Sequence, residues 1–410
     1  MTPPGNLRFL MVTTYFPPYH FGGDAIYVYR LSQALAELGH QVDVVYSMDA
    51  YRLAGGANQE HSFPDHPNLT RFPLESSWPW ASAMAAHQLG RPALYEKRIE
   101  KIVNDGNYDV INYHNVSLVG APKLFRFGRA VKIYTPHDYW LVCPTHVLFA
   151  FNRRACVKPN CAACVLFSLR PLQLWRYTSM IKECVQEINC FLMPSEFTKE
   201  RYLARGINRP MEYLPGFVPP AEEGTGLERE SGDPERPYFI FAGRLEKLKG
   251  AQDLITLFAE YRKARLVIAG SGSFERNLRD QARGLPNVSF IGNVHPSDLN
   301  SLYRGAVAVL APSLCYETFG LSAVEAMMCG TPVIARRIGA LKEIVEKSEG
   351  GYLFDTLEEL KDAMEKLRTQ PDLRKKLGQN GRNTALRLWS SKIYIKRYLD
   401  IVTSLMESKA

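Results

Sequence analysis

An alternation of short apolar runs with helix-length segments, occurring twice along 410 residues, constrains this chain more than any other feature. In the first half the apolar runs fall at 8–14, 41–46, 109–113, 131–135 and 190–194, and residues 25–38 carry an amphipathic helical pattern stopped by Gly39. In the second half they recur at 238–242, 265–269, 288–291, 307–311 and 332–335. Short apolar runs alternating with helical patterns predict parallel sheets covered by helices. The fold class expected is α/β, with two Rossmann-like doubly wound domains.

The boundary follows from composition. Between 216 and 237 the chain turns to Pro219-Pro220-Ala-Glu-Glu-Gly-Thr-Gly226 and mixed charge, which buries little. A single core stops growing near ~250–300 residues, so the division predicted is 1–216, a linker at 217–236, and 237–388. Ligands of such sheets sit at the carboxyl ends of strands, so the loops there are the first place to look for chemistry.

Hydrophobic residues make up 46% and charged residues 22%, which excludes disordered and fibrous classes. No apolar run reaches the ~18–20 residues of a membrane span, and residues 1–6 lack the apolar core of a signal peptide. A cytoplasmic chain with reduced cysteines is expected, peripheral to the inner face of a membrane at most. Residues 120–182 carry ten Lys/Arg and one acid, Asp138. That bias is either a solvated loop or a surface for an anionic acceptor or acidic membrane; with Trp78, Trp80 and Trp175 near amphipathic stretches it points first to a lipid-linked or polysaccharide acceptor and leaves peripheral membrane contact open. No nucleic-acid-binding motif is present.

Two constellations carry chemistry. The run ending at Ala242 leads into Gly243-Arg244-Leu-Glu-Lys-Leu-Lys249-Gly250, where a forked guanidinium and a compact ammonium suit a diphosphate. Alone, a basic turn after a strand is surface decoration. The second is Ser313-Leu-Cys-Tyr-Glu317-Thr-Phe319-Gly320-Leu321-Ser-Ala-Val-Glu325, a loop entering a helix expected to begin near Phe319. Unpaired N–H groups at that helix start favour an anion, and the two carboxylates can accept sugar and ribose hydroxyl hydrogen bonds.

Together these motifs resemble the retaining GT-B glycosyltransferases of family four. The resemblance spans nearly the whole chain, including Pro17-Pro18 with Gly22-Gly23, Leu38-Gly39-His40-Gln-Val42, Ala269-Gly270-Ser-Gly272 and Ile291-Gly292. It implies two domains facing a central cleft, an N-terminal acceptor side, and a last helix (389–410) crossing back onto the N-terminal domain. It further implies Arg244 and Lys249 as diphosphate ligands, Glu317 as donor-sugar ligand and Glu325 as ribose ligand. Gly243, Gly270 and the helix start at Phe319, Gly320 and Leu321 complete the donor site. The donor would be a UDP- or GDP-linked hexose, and the acceptor a glycan, a lipid-linked sugar or a small molecule. Gly22 and Gly23 would let backbone approach a phosphate or sugar, or form an ordinary turn. His137, in Thr-Pro-His-Asp at a strand's carboxyl end, would face the sugar; Asp138 reads as a loop or capping acid.

No Asp-x-Asp triplet is present to hold a divalent cation, so fixed cations would stabilise the leaving diphosphate and no catalytic metal is expected. Cys143, Cys156, Cys161 and Cys164 depart from the family pattern. Their C-x12-C-x4-C-x2-C spacing suits structural zinc, then iron–sulfur, or leaves four free thiols; Cys184, Cys190, Cys315 and Cys329 read as buried thiols. Two rival functions fit part of the pattern: a sugar-nucleotide epimerase of the same fold, and a noncatalytic anion-binding metalloprotein. A dinucleotide dehydrogenase is weaker, because Gly270-Ser-Gly272-Ser-Phe-Glu lacks the third glycine of the fingerprint.

Overall fold

A computed structural model describes residues 5–56, 63–64, 66–220 and 237–409. The strands in chain order are β1 Arg8–Val12, β2 Gln41–Ser47, β3 Leu69–Leu74, β4 Val110–Tyr113, β5 Val131–Tyr134, β6 Phe149–Ala150, β7 Arg154–Ala155, β8 Cys190–Met193 and β9 Met211–Tyr213. They continue as β10 Tyr238–Ala242, β11 Arg265–Ala269, β12 Val288–Gly292, β13 Val309–Ala311, β14 Val333–Arg336 and β15 Gly351–Phe354. One sheet of seven strands runs β3-β2-β1-β4-β5-β8-β9, and one of six runs β12-β11-β10-β13-β14-β15. Every pairing within these two sheets is parallel. The order reverses at β1 in one sheet and at β10 in the other, and such switch points open a crevice at the strands' carboxyl ends.

The chain divides into two compact units. One comprises Met1–Val147, Pro159–Pro215 and Tyr394–Ala410; the other comprises Leu148–Lys158 and Gly216–Ile393. Of the expected linker, residues 221–236 lie outside the described residues.

In the second unit the strand period of two sorts side chains onto two helical layers. Along β10, Phe239 and Phe241 join Leu254, Ile255 and Phe258 of the following helix on one face. Tyr238 and Ile240 join Ala323, Val324 and Met327 on the other. With both faces covered, β10 is apolar along its length instead of alternating, as are the interiors of β11 and β14, which is why they are conspicuous in the sequence.

In the first unit the final helix (Ser391–Glu407), from Tyr394 onward, contributes fully buried Tyr398, whose ring lies 6.1 Å from Phe9 of β1. Its hydroxyl accepts a hydrogen bond from Asn112 Nδ2 at 3.2 Å, and the same asparagine's Oδ1 accepts from Thr135 Oγ1 at 3.1 Å. A polar bridge thus ties the terminal helix to β4 and to the residue that follows β5.

Candidate active site

In the second unit three strand-end loops interlock. The loop after β10 passes between those after β11 and β13: Leu245 N–H donates to Ser271 O (2.8 Å), Phe274 N–H to Leu245 O (2.8 Å), and Leu314 N–H to Leu248 O (2.8 Å). Two glycines make this possible. At Gly250 (φ +79°) a Cβ would sit 2.2 Å from Pro312 O, and at Gly270 (φ +127°) one would sit 2.0 Å from Gly243 O. Both therefore admit only a residue without a side chain. Gly270 accordingly has a framework role, holding one loop against the other.

The interlock brings Lys249 to Glu317. Lys249 Nζ lies 2.7 Å from Glu317 Oε1, and Ser313 Oγ donates to the same oxygen at 2.6 Å. The two side chains are only 21% and 20% exposed. Burial opposes both charges, yet each carries its partner through it. Lys249 is held above its ordinary pKa, because Glu317 outweighs burial and the repulsion from Arg244. Glu317 is held below its own, because Lys249, Ser313 and Arg244 outweigh burial. Arg244 is half exposed, with one nitrogen 3.0 Å from Glu246 Oε1. The site thus holds two cations, each beside a carboxylate, and only the Lys249–Glu317 pair is largely buried.

Arg336, which the sequence reading passed over, holds the third loop. Its guanidinium donates to Pro312 O (3.2 Å) and to Asp253 Oδ2 (2.6 Å) and lies over the Phe354 ring. An arginine at the carboxyl end of an apolar strand is the only signal that would have found it.

The helix after the third loop runs Leu321–Met328, two residues later than expected, with Gly320 at its N-cap and no side chain capping it. Phe319 points inward, buried against Trp389 at 6.3 Å, so it offers the site backbone alone. Glu325 is therefore the fifth helical residue, half-buried, and its charge adds to burial in raising the Tyr303 phenol.

In the first unit the ends of β4 and β5 bring two histidines together. His114 and His137 follow β4 and β5, with His114 Nδ1 3.0 Å from His137 Nε2 and the rings stacked at 5.2 Å. Tyr27 meets the His137 ring edge-on at 4.7 Å. Burial, then the neighbouring His137, pushes fully buried His114 well below the ordinary imidazole range. Burial also lowers His137, against the opposing pull of Asp24 and Asp138. One neutral imidazole donates to the other. His114 was missed because a lone histidine after an apolar strand carries no motif.

Asp138 serves its own loop, accepting from Trp140 N–H at 2.8 Å and facing His146 Nδ1 at 3.0 Å. Gly22 and Gly23 open the helix Gly23–Glu37, and Gly22 is in extended backbone (φ −166°) that any residue adopts.

Two expectations are corrected. The four cysteines do not assemble: among the described residues no group of three or more His, Cys, Asp and Glu gathers to hold a metal. Cys161 and Cys164 sit one turn apart on the helix Cys161–Phe167. Cys143 Sγ instead lies 3.3 Å from Thr145 Oγ1, and Cys156 Sγ 3.9 Å from Lys158 O. Spacing in sequence did not become convergence in space. Trp175, grouped above with the interfacial tryptophans, is buried, donating to His87 O at 3.0 Å beneath the Arg176 guanidinium. Arg176 and Lys132 are themselves largely buried, so part of the basic bias of 120–182 is internal. Cys184, Cys190, Cys315 and Cys329 are buried thiols, and burial lifts the last two to about 12 and about 11.

Sequence comparison matches residues 21–222 to the model of Glycosyltransferase Family 4 and residues 227–384 to that of Glycosyl transferases group 1. The chain belongs to glycosyltransferase family four. It is 29% identical over 366 residues to an uncharacterised glycosyltransferase of Methanocaldococcus jannaschii, with 84% of each chain covered. It is 25% identical over 411 residues to the O-antigen chain mannosyltransferase C of Escherichia coli, covering 98% of this chain and 100% of that one. Among solved structures it is similar to a sucrose-phosphate synthase from Thermosynechococcus elongatus (TM-score 0.75, 20% identity, 98% and 100% covered). It is also similar to HepE of Anabaena, crystallised with UDP and glucose (TM-score 0.70, 18% identity, 97% and 100% covered). This family four member is thus a glycosyltransferase of GT-B architecture. Among its described residues no helix is long and apolar enough to cross a membrane.

Proposed function

We propose that the enzyme transfers a hexose from a nucleotide diphosphate sugar to a glycan or lipid-linked acceptor with retention, the donor being held by the loops after β10 and β13. The observation that carries this reading is the Lys249–Glu317 pair beside Arg244. A diphosphate leaves with growing negative charge, and two cations already fixed in place stabilise that charge without reorganising. Lys249 stays protonated because Glu317 holds it, so the charge is present across the working pH range. Arg244, half exposed, supplies the forked contact to phosphate oxygens.

Glu317 accepts from donor-sugar hydroxyls with its remaining acceptor capacity, and Glu325 from the ribose. Backbone N–H groups of Gly320, Leu321 and the following residue face the diphosphate. Gly243, at the end of β10, lets the first loop turn towards it. His137, neutral and seated on His114, suits an uncharged sugar hydroxyl, and the unit that carries it acts as the acceptor side. With retention, the acceptor attacks from the face the diphosphate leaves, and a diphosphate oxygen takes the acceptor's proton. The cations carry the leaving-group charge without a divalent metal, consistent with the missing Asp-x-Asp. Uridine and guanosine donors both suit this site, and the UDP-glucose complex of HepE favours uridine.

Thermal-shift screening against UDP- and GDP-sugars tests this reading. A donor at ~100 times its Kd should stabilise the enzyme by ~2.7 kcal/mol. Glu325→Gln should weaken binding of the bare nucleotide diphosphate while Glu317→Gln spares it and impairs use of the sugar. A Glu325→Gln variant that binds the nucleotide as wild type does removes the ribose assignment.

A further inference from the structure

The first unit carries an exposed apolar surface for which the transfer chemistry has no use. The helix Pro79–Leu89 has no Asp, Glu, Lys or Arg, an unusual composition for a helix with an exposed face. Trp78 and Trp80 at its start are 73% and 66% exposed, and Leu89 at its end is exposed as well. Its carboxyl end is fixed against the turn Leu174–Tyr177, where Gln173 Nε2 and Trp175 Nε1 both donate to His87 O. Gly90 closes the joint, since a Cβ there would meet Trp175, Pro122 and Met180 at 3.0–3.2 Å. Around this joint Leu94, Leu166, Phe167, Leu174 and Tyr177 are exposed, and Leu169, at φ +52°, is 95% exposed.

The helix Pro79–Leu89 carries no charged residue, and the charges from 139 to 182 have one sign. Arg91, Arg170 and Lys182 are exposed, and Arg170 is near enough to His87 to help lower its pKa to about 4, after burial, His146 and Arg176. No Asp or Glu occurs from 139 to 182. The flanking acids Glu75 and Glu183 are each engaged by an arginine, Arg52 and Arg126 respectively. Exposed Trp, Leu and Phe bordered by cations, with no acid within the helix Pro79–Leu89 or the segment 166–177, match the boundary between lipid headgroups and acyl chains of an anionic bilayer. We infer that this surface, built from the helix Pro79–Leu89 and the segment 166–177, docks the enzyme on an anionic lipid membrane.

The inference stands apart from the donor site, because none of these residues belongs to it. The chain's five tryptophans give a direct reporter, since Trp140, Trp175 and Trp389 are buried and only Trp78 and Trp80 face solvent. The full chain is mixed with vesicles of phosphatidylcholine alone or with phosphatidylglycerol added, and emission and co-sedimentation are followed at low and high salt. Expected are a blue shift and sedimentation with the anionic vesicles, weakened by salt. A Trp78→Ser/Trp80→Ser/Leu169→Ser variant with an unchanged melting temperature should lose about tenfold or more in partitioning. Arg170→Glu, which leaves the apolar groups intact, should lose the preference for anionic lipid. Equal partitioning of wild type and both variants, or none by wild type, overturns the inference. So does a dimer in sedimentation velocity that the triple substitution dissolves while vesicle binding is absent, which assigns the surface to a second copy of the chain.

Discussion

The strand-end residues of the two units solve opposite electrostatic problems. In the second unit Lys249 and Glu317 are charged, and each is kept so by the other against burial. In the first, His114 and His137 are kept neutral by burial and share one hydrogen bond. Paired charges suit a ligand whose own charge grows during reaction, whereas neutral imidazoles suit uncharged hydroxyls. The same doubly wound topology thus presents paired charges at one set of strand ends and buried neutral imidazoles at the other. The contrast lies in the loops.

Removing a charge should have the largest effect. Lys249→Ala or Arg244→Ala should lower transfer by ~10²-fold or more, the scale of losing a partner to developing charge. Lys249→Ala also leaves Glu317 without its counter-ion, so its thermal stability should fall where that of Arg244→Ala, at a half-exposed position, holds. Near-normal turnover in both variants would collapse the distinction between the two units.

Removing a neutral group should cost less. His137→Ala deletes hydrogen bonds to uncharged groups and should slow transfer by about tenfold while sparing the affinity for bare nucleotide diphosphate. A matching loss of nucleotide affinity would place His137 at the diphosphate instead.

A subtler difference is in pH dependence. Both histidines have folded pKa values below the ordinary ~6.5, so the stability linked to their neutral forms is complete above that pH. It is lost as pH falls towards the folded values, where the unfolded chain binds protons that the native state refuses. Lys249 and Glu317 change charge outside this window. Glu317 loses its contribution only as pH falls below the ordinary carboxylate value towards its lower folded one, and Lys249 only as pH rises past the ordinary lysine value to its higher folded one. From pH 7.5 to about 5.5 the urea midpoint should therefore fall, and His114→Phe should flatten the slope while His40 and His87, also lowered by burial, retain part of it. An unchanged slope in His114→Phe would show that this pair is not the source.

How much of this was legible in the sequence follows from which physical signals are local. The buried parallel strands β10, β11 and β14 stand out because both faces are covered and every position but Arg265 and Arg336 at their ends is apolar. β3, with Arg71 and Pro73, and β9, three residues around Glu212, lack that run, and β15 hides behind Gly350-Gly351. Arg244, Lys249 and Glu317 could be named from their motifs, and the structure adds what no motif contains, the Lys249–Glu317 bond and the second hydrogen bond from Ser313. His114 and Arg336 were illegible because their meaning comes from a neighbouring strand. Trp175 misled because an aromatic in a basic, loop-like stretch gives no sign of the helix Pro79–Leu89 that covers it. The cysteine spacing misled for a related reason: four thiols near in sequence were spread among a short helix and two loops.

The most direct test of the central claim is transfer of labelled hexose from UDP- and GDP-sugars to a glycan or lipid-linked acceptor pool, comparing wild type with Lys249→Ala, each with and without EDTA. The account predicts product from one donor class with wild-type enzyme, unchanged by chelation in a short assay, and a drop of ~10²-fold or more in the variant. Transfer that vanishes in EDTA and returns with magnesium, or that survives Lys249→Ala intact, would contradict a leaving group stabilised by fixed cations.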